Sequence, residues 1–273
     1  MFDLGFIGFG NIAQALAKGL SSSKYNICAH DVLKSKSKTI RALNVACLPS
    51  SEEVVEKSKI IILCIKPNHF SEVLNNISSH VTKKKIIISL GAGVTLSFIS
   101  KFLKDRKLVR IMPNLSSAFG NGFTAVAFNK FLLKKERSFI VKILDSFGKT
   151  MELKNESFFD KITALSGSGP AFFAFYLDSI IKYAIDSGFT RKQAVDIAYN
   201  TSGGALSYLQ NSNLLPEKFI ELVSSPKGTT EEGIKYLKSK GFKKIIMDCH
   251  KKSAKRSQSI SLKNELLSRR KTK

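Results

Sequence analysis

The chain has no tryptophan, and it has only four cysteines, four methionines and six prolines in 273 residues. Cys28, Cys47, Cys64 and Cys249 show no paired CxxC spacing. That excludes a disulfide framework or a thiolate zinc site and predicts reduced cysteines in a cytosolic protein. His30, His69, His80 and His250 are scattered, so no metal site is predicted. Apolar runs such as IIILCI at 60–65 fall far short of the roughly 20 residues that cross a bilayer, and no membrane association is expected. MFDLGFIGFG has neither a basic leader nor a small-residue cleavage site, so the expectation is a cytoplasmic chain without a secretory signal.

Acidic residues are also scarce, 21 against 44 basic, for a net charge of +23. Such an excess usually points to nucleic acid or an acidic membrane. Here the lysines run along the whole chain and the phenylalanines follow core periodicity, so a solvated basic surface is expected and no specific nucleic-acid partner. KKSAKRSQ and SRRKTK near the C-terminus are the exceptions to even spreading, and we expect a frayed, solvated end there.

What is present begins with LGFIGFGNIAQALAKGL at 4–20: a short apolar strand, a GxGxxA turn, then a helix with Ile12, Ala15, Leu16 and Leu20 on one face. Gly8 permits a tight turn, Gly10 lets backbone approach a pyrophosphate, and Ala13 allows close helix packing. Asn11 and Ile12 open the helix, whose N-terminus favours an anion. Further βα units follow: YNICAH with a helix over about 34–43, KIIILCI, KKKIIISL with GAGVT, LVRIM, and GFTAVAF with a helix over about 133–147. Continuous β-branched runs alternating with amphipathic helices predict a mainly parallel sheet covered on both faces. Its strand ends carry Gly8-Phe9-Gly10, Cys64 to Pro67 with Lys66, Gly91-Ala92-Gly93 and Met112-Pro113-Asn114, at the edge where such sheets bind ligands. Asp31 ends the second strand, where an acid takes a ribose 2′-hydroxyl and signals NAD; Lys34, Lys36 and Lys38 just beyond it could instead pair with the 2′-phosphate of NADP. NAD and NADP both remain open.

After about Ser157 the pattern is helical. A Ser166-Gly167-Ser168-Gly169 break precedes a helix from Pro170 to about Asp186 that is apolar on nearly every side, so subunit contact is expected to cover it. Another helix runs over about 191–211, with Gly203 and Gly204 inside it, and Pro216 opens the next. The predicted architecture is therefore an α/β N-terminal Rossmann-like domain over 1–157 and an all-α C-terminal dimerisation domain over 158–273. Within the latter, LVSSPKGTTEEGI at 222–234 interrupts the helical rhythm with small hydroxyl and flexible residues. Two readings stand: an ordinary helix N-cap at Thr229 or Thr230, or an anion-binding corner of freed N–H groups and hydroxyls.

FIGFGNIAQALAKGL, CIKP, SLGAGVT, VRIMPN, LSGSGPAF and SSPKGTT, in this order and over essentially the whole chain, resemble the pyrroline-5-carboxylate reductase family. The resemblance implies reduction of 1-pyrroline-5-carboxylate to L-proline by NADPH or NADH, with NADPH slightly favoured, and a Rossmann domain followed by an interlocking helical domain. It implies a small-molecule substrate and a homodimer, with larger rings of dimers as a further assembly. It also assigns the 222–234 segment: Ser225 would offer a hydroxyl, and Gly228, Thr229 and Thr230 backbone N–H groups, to the substrate carboxylate. Thr230 would also orient the ring nitrogen, the one catalytic role assigned. Cofactor contacts would fall on Gly8, Gly10, Asn11, Ile12, Asp31, Cys64, Lys66, Pro67, Ala92, Gly93 and Asn114. The chain departs from the family pattern in three places. Lys227 stands where a glycine or small residue is usual and is expected to face solvent. Ser51 stands where an asparagine often contacts the adenosine ribose, and Asp31 where a small polar residue is common.

Other readings compete. A reductase of a related cyclic imine or a small hydroxy or keto acid would keep the cofactor edge and change the substrate. A 3-hydroxyacid dehydrogenase needs a catalytic lysine in its first interdomain helix, where only Lys182 is available, late in an apolar segment. A cofactor-binding protein without catalysis would not need the 225–230 corner.

Overall fold

The computed structural model describes the backbone of residues 1–270 and the side chains of 1–262. By its own packing the chain forms two compact units, Met1–Pro170 together with the chain from Lys251 onward, and Ala171–His250.

The first unit is built on one sheet. Strands β1 (Phe2–Ile7), β2 (Ile27–His30), β3 (Ala46–Cys47), β4 (Ser58–Leu63), β5 (Ile86–Ser89), β6 (Lys107–Met112), β7 (Gly122–Phe128) and β8 (Gly148–Glu152) lie in the order β3-β2-β1-β4-β5-β6-β7-β8. β7 runs antiparallel to β6, and every other neighbouring pair is parallel. Side chains alternate across a strand, so a strand buried on both faces must be apolar throughout. In β4, Ile60 and Ile62 enter the cluster on one face while Ile61 and Leu63 enter the other, and in β5 Ile86 and Ile88 oppose Ile87. Helices α1 (Asn11–Gly19) and α6 (Lys134–Asp145) supply Ala13, Leu16, Ile140 and Leu144 to the first face. Helix α2 (Lys36–Ala42) adds Ile40. Helices α3 (Ser51–Lys57), α4 (Phe70–Ile77) and α5 (Leu96–Ser100) cover the second with Val54, Val55, Phe70, Leu74 and Ile99. The Rossmann-like, mainly parallel sheet is as expected.

Two details differ from the sequence expectation. The SGSG stretch is not a break in the helical path. Helix α7 (Phe159–Ile162) widens into a π-type turn over Thr163–Gly167, closed by Ser168 N–H to the Thr163 carbonyl at 2.8 Å, and leads into α8 (Gly169–Asp186). The basic C-terminus is not frayed either. KKSAKRSQ lies within one continuous helix, α12 (Phe242–Arg270). Its Ser257 is 4% exposed, with its hydroxyl donating to Asp160 Oδ1 at 2.6 Å. The last three residues of SRRKTK lie outside the described residues.

The second unit is helical. Helix α9 (Arg191–Ser212) opens on a capping box between Thr190 and Gln193 and is followed by α10 (Pro216–Val223), with Pro216 at its first turn, and α11 (Thr229–Ser239). Among the described residues, its buried hydrophobic side chains are three alanines, Ala184, Ala194 and Ala198. Its large side chains stand open in the single chain, with Phe175 76% and Tyr183 74% exposed. A fold that buries only alanine has no core of its own and needs a partner surface. Among the described residues no helix is long and apolar enough to cross a membrane.

Candidate functional site

Parallel pairing aligns the C-terminal ends of β1, β2, β4, β5 and β6: Ile7 lies opposite His30 and Leu63, Leu63 opposite Ser89, and Ser89 opposite Arg110. The loops leaving these ends therefore share one edge. Gly8 turns the chain at φ +84°, with its N–H on the His30 carbonyl at 2.8 Å. A Cβ there would sit 2.8 Å from the Cys64 carbonyl oxygen, so only glycine fits. A Cβ on Gly10 would meet nothing within 4 Å. Gly10 is thus not needed for packing, and the space it leaves lies before the start of α1.

That helix has no side-chain cap and no acid in its first turn. Gln14 N–H closes on the Gly10 carbonyl at 3.0 Å, and the N–H groups of Gly10, Asn11, Ile12 and Ala13 have no partner among the described residues. Four free amides at the positive end of a helix, beside open space, fit a dinucleotide pyrophosphate. Asp31 stands at the lip of the turn, its Oδ2 accepting Phe9 N–H at 2.6 Å and its Oδ1 accepting Leu33 N–H at 2.9 Å. Lys66 is exposed and precedes a short turn opened by Pro67. Cys64 is an ordinary thiol rather than a nucleophile, because burial pushes its pKa up. Ala92 and Gly93 form the turn after β5, with Gly93 at φ +71°. Asn114 Nδ2 donates to Ser166 Oγ at 3.1 Å, and its Oδ1 is buried without a partner. Ser51 is the first residue of α3, whose cap is Ser50, accepting Glu53 N–H at 3.1 Å. A depression bounded by Asp3, Tyr25, Lys59 and Phe139 lies by the start of β1 and β4, at the opposite edge from these loops.

Sequence reasoning passed over a buried polar hub beneath this edge. Arg110, 3% exposed inside the sheet, pairs with Glu156 at 2.9 Å and lies 4.2 Å from the Phe159 ring centre. Glu156 in turn accepts Leu96 N–H at the start of α5, at 3.2 Å. The arginine in VRIMPN was the available signal: a charge inside an apolar strand must find a partner.

In the helical unit, Gly228 caps α11 through backbone alone. Its N–H is spent on the Ser225 carbonyl at 3.0 Å, so Gly228 shapes the turn rather than presenting a free donor. A Cβ on Gly228 would lie 2.3 Å from Ser225 Oγ, which places that hydroxyl over the glycine. The N–H groups of Thr229, Thr230 and Glu231 have no partner among the described residues. Lys227 is exposed and left-handed at φ +59°; its N–H donates to Glu231 Oε2 at 2.5 Å. The Lys235 ammonium, 3.0 Å from Glu231, holds that carboxyl below its usual range, with the Lys227 N–H adding to the effect. The hydroxyl and free amides gathered here suit a carboxylate.

Residues 156–260 match the family described as pyrroline-5-carboxylate reductase dimerisation, and residues 3–93 match NADP oxidoreductase coenzyme F420-dependent. A pyrroline-5-carboxylate reductase of Aquifex aeolicus is 35% identical over 94% of this chain and 97% of its own length. The chain belongs to the pyrroline-5-carboxylate reductase family. Solved structures agree. A Plasmodium falciparum pyrroline carboxylate reductase, determined with NADP bound, superposes with a TM-score of 0.88 at 25% identity, covering 95% of this chain and 98% of that one. The 1-pyrroline-5-carboxylate reductase of Streptococcus pyogenes gives 0.87 at 28% identity over 94% and 98%. This family member carries a dimerisation segment on the helices whose apolar faces stand open, and it is an oxidoreductase of the NAD(P) type.

Proposed function

We propose that this reductase converts 1-pyrroline-5-carboxylate to L-proline, the last step of proline biosynthesis. The unpartnered N–H groups of Thr229 and Thr230 beside the Ser225 hydroxyl carry this reading most directly. They hold the substrate carboxylate by hydrogen bonding and the helix dipole, without needing an arginine. A bound reduced nicotinamide supplies the hydride that adds to the C=N carbon. The imine reacts in its protonated form; Thr230 keeps the ring N–H oriented, and the nitrogen retains that proton as hydride addition converts the iminium to a neutral secondary amine. Glu231, next to Thr230, is held below its usual carboxylate range by Lys235 and the Lys227 N–H and is a poor proton donor, so positioning dominates the rate. On the sheet edge, the free amides of Gly10, Asn11 and Ile12 receive the pyrophosphate at the turn that Gly8 shapes. Asp31, Cys64, Lys66, Pro67, Ala92, Gly93 and Asn114 line the remaining strand ends.

The division of labour runs near 157/158, with nucleotide binding before it and substrate binding and dimerisation after it; a family match beginning at residue 156 supports this. The assembly is a homodimer, extended to rings of dimers, working in the cytoplasm on a small molecule with no specific nucleic-acid partner. Four cysteines without disulfides favour that compartment.

The test is steady-state kinetics of Thr230→Ala and Ser225→Ala beside wild type. Thr230→Ala is expected to lower kcat by about tenfold or more, and Ser225→Ala chiefly to raise KM. A Thr230→Ala enzyme with wild-type turnover removes Thr230 from the mechanism.

A further inference from the structure

Asp31 does two things at once. Its Oδ2 accepts Phe9 N–H at 2.6 Å, in the middle of the Gly8-Phe9-Gly10 turn, and its Oδ1 accepts Leu33 N–H at 2.9 Å. The two bonds fix the carboxylate at the end of β2 instead of leaving it free to swing to solvent. A carboxylate offers about four lone-pair sites, so acceptor capacity remains on both oxygens. Immediately after it, Val32 and Leu33 are 84% and 58% exposed, an apolar step beside a fixed charge, which suits the flat face of an adenine and the hydroxyls of its ribose.

The lysines that follow do not cancel that charge. Lys34 and Lys38 are exposed, Lys36 is half-buried, and among the described residues none forms an ion pair with Asp31. A ribose 2′-hydroxyl is a donor to Asp31. A 2′-phosphate is an acceptor of roughly two negative charges, and it would meet a carboxylate that two amide N–H groups hold in place.

We propose that Asp31 is a specificity-determining residue that makes this enzyme prefer NADH to NADPH, even though one of its solved relatives was determined with NADP bound. This rests on the dinucleotide reading of the sheet edge and is independent of which imine is reduced. Clamping the glycine turn and choosing the cofactor are then one function: the charge that positions Phe9 N–H is the charge that rejects a phosphate.

The test is equilibrium binding of NADH and of NADPH, each followed by its own nicotinamide fluorescence, with no imine present. Wild type is expected to bind NADH at least about tenfold more tightly. Asp31→Ser is expected to weaken NADH and tighten NADPH, moving the ratio by about tenfold or more toward NADPH; Asp31→Asn, which keeps an acceptor for Phe9 N–H, falls between. Equal or tighter NADPH binding by wild type would overturn the proposal, and so would Asp31→Ser weakening both cofactors by the same factor, the mark of a purely structural clamp. If neither variant folds, the wild-type ratio alone decides. Tight, selective NADH binding without turnover of 1-pyrroline-5-carboxylate would instead refute the proposed reaction and leave this inference standing.

Discussion

Ser257 donates to Asp160 Oδ1 at 2.6 Å, closing the C-terminal part of α12 onto α7 across 97 residues of sequence. Ser261, one turn on, reaches the same oxygen at 3.2 Å, and Ser253, one turn back, lies 3.3 Å from Ser168 Oγ. Three serines at four-residue spacing form one polar stripe along α12. The stripe also touches the turn after β5, because a Cβ on Gly93 would lie 2.6 Å from Ser261 N. Ser257→Ala is expected to cost about 1.5–3 kcal/mol, the range for a hydrogen bond to a charged acceptor. Asp160→Ala should cost at least as much, since it leaves a buried hydroxyl without an acceptor. Urea unfolding midpoints of the two variants check both.

Gly8→Ala is expected to abolish cofactor binding or folding. Left-handed backbone at φ +84° costs about 1–2 kcal/mol for any L-residue, and the added methyl also meets the Cys64 carbonyl oxygen at 2.8 Å. Gly10→Ala separates the roles: its methyl enters empty space, so stability should hold while dinucleotide affinity falls. Thermal melts with and without NADH read the two effects apart.

Lys227→Gly should stabilise the protein slightly. Relief of the strain at φ +59°, about 1–2 kcal/mol, outweighs the roughly 0.5–1 kcal/mol entropy cost of a glycine, and the net gain is about 0.5 kcal/mol. KM for the imine should stay unchanged, because Lys227 is exposed and its N–H is bound to Glu231. A KM rise of about tenfold would place its ammonium on the substrate carboxylate instead.

Glu136 gives the enzyme an acid-sensitive contact. Burial pushes its carboxyl up, but the Lys107 ammonium at 2.5 Å and the Leu133 N–H at 3.0 Å more than reverse this and leave it below the usual carboxylate value. A carboxyl lowered in the folded state contributes stability that is complete above its unfolded pKa, about 4.3, and is lost as pH falls through the lower folded value. Glu136→Gln should therefore be less stable than wild type near neutrality, and the gap should close as pH drops below about 4. A gap that stays constant with pH would mean that the pair contributes no charge-dependent stability.

Much of the sheet was legible because its strands are buried on both faces. IIIL in β4 and III in β5 can be apolar throughout only in such a setting. β3, two residues long, and β8, whose GKTME has no apolar pattern and sits at the sheet edge, carry no such mark. At the candidate site, glycine positions could be read because backbone conformation depends on residue type. Hydrogen-bond partners could not. That Gly228 spends its N–H on Ser225, that Asp31 holds Phe9, and that a lysine-rich C-terminal helix turns its serines inward are outcomes of three-dimensional placement. Charge along α12 looked like a solvated tail because its buried contacts are made by serine, a residue that gives no hydrophobic signal.

The most direct measurement of the central claim is product formation: purified wild-type enzyme, 1-pyrroline-5-carboxylate, and NADH or NADPH in excess, with proline quantified against cofactor oxidised. Proline is expected to form one-for-one with oxidised cofactor, in multiple turnovers. A folded enzyme that binds the dinucleotide yet forms no proline with either cofactor would contradict the account.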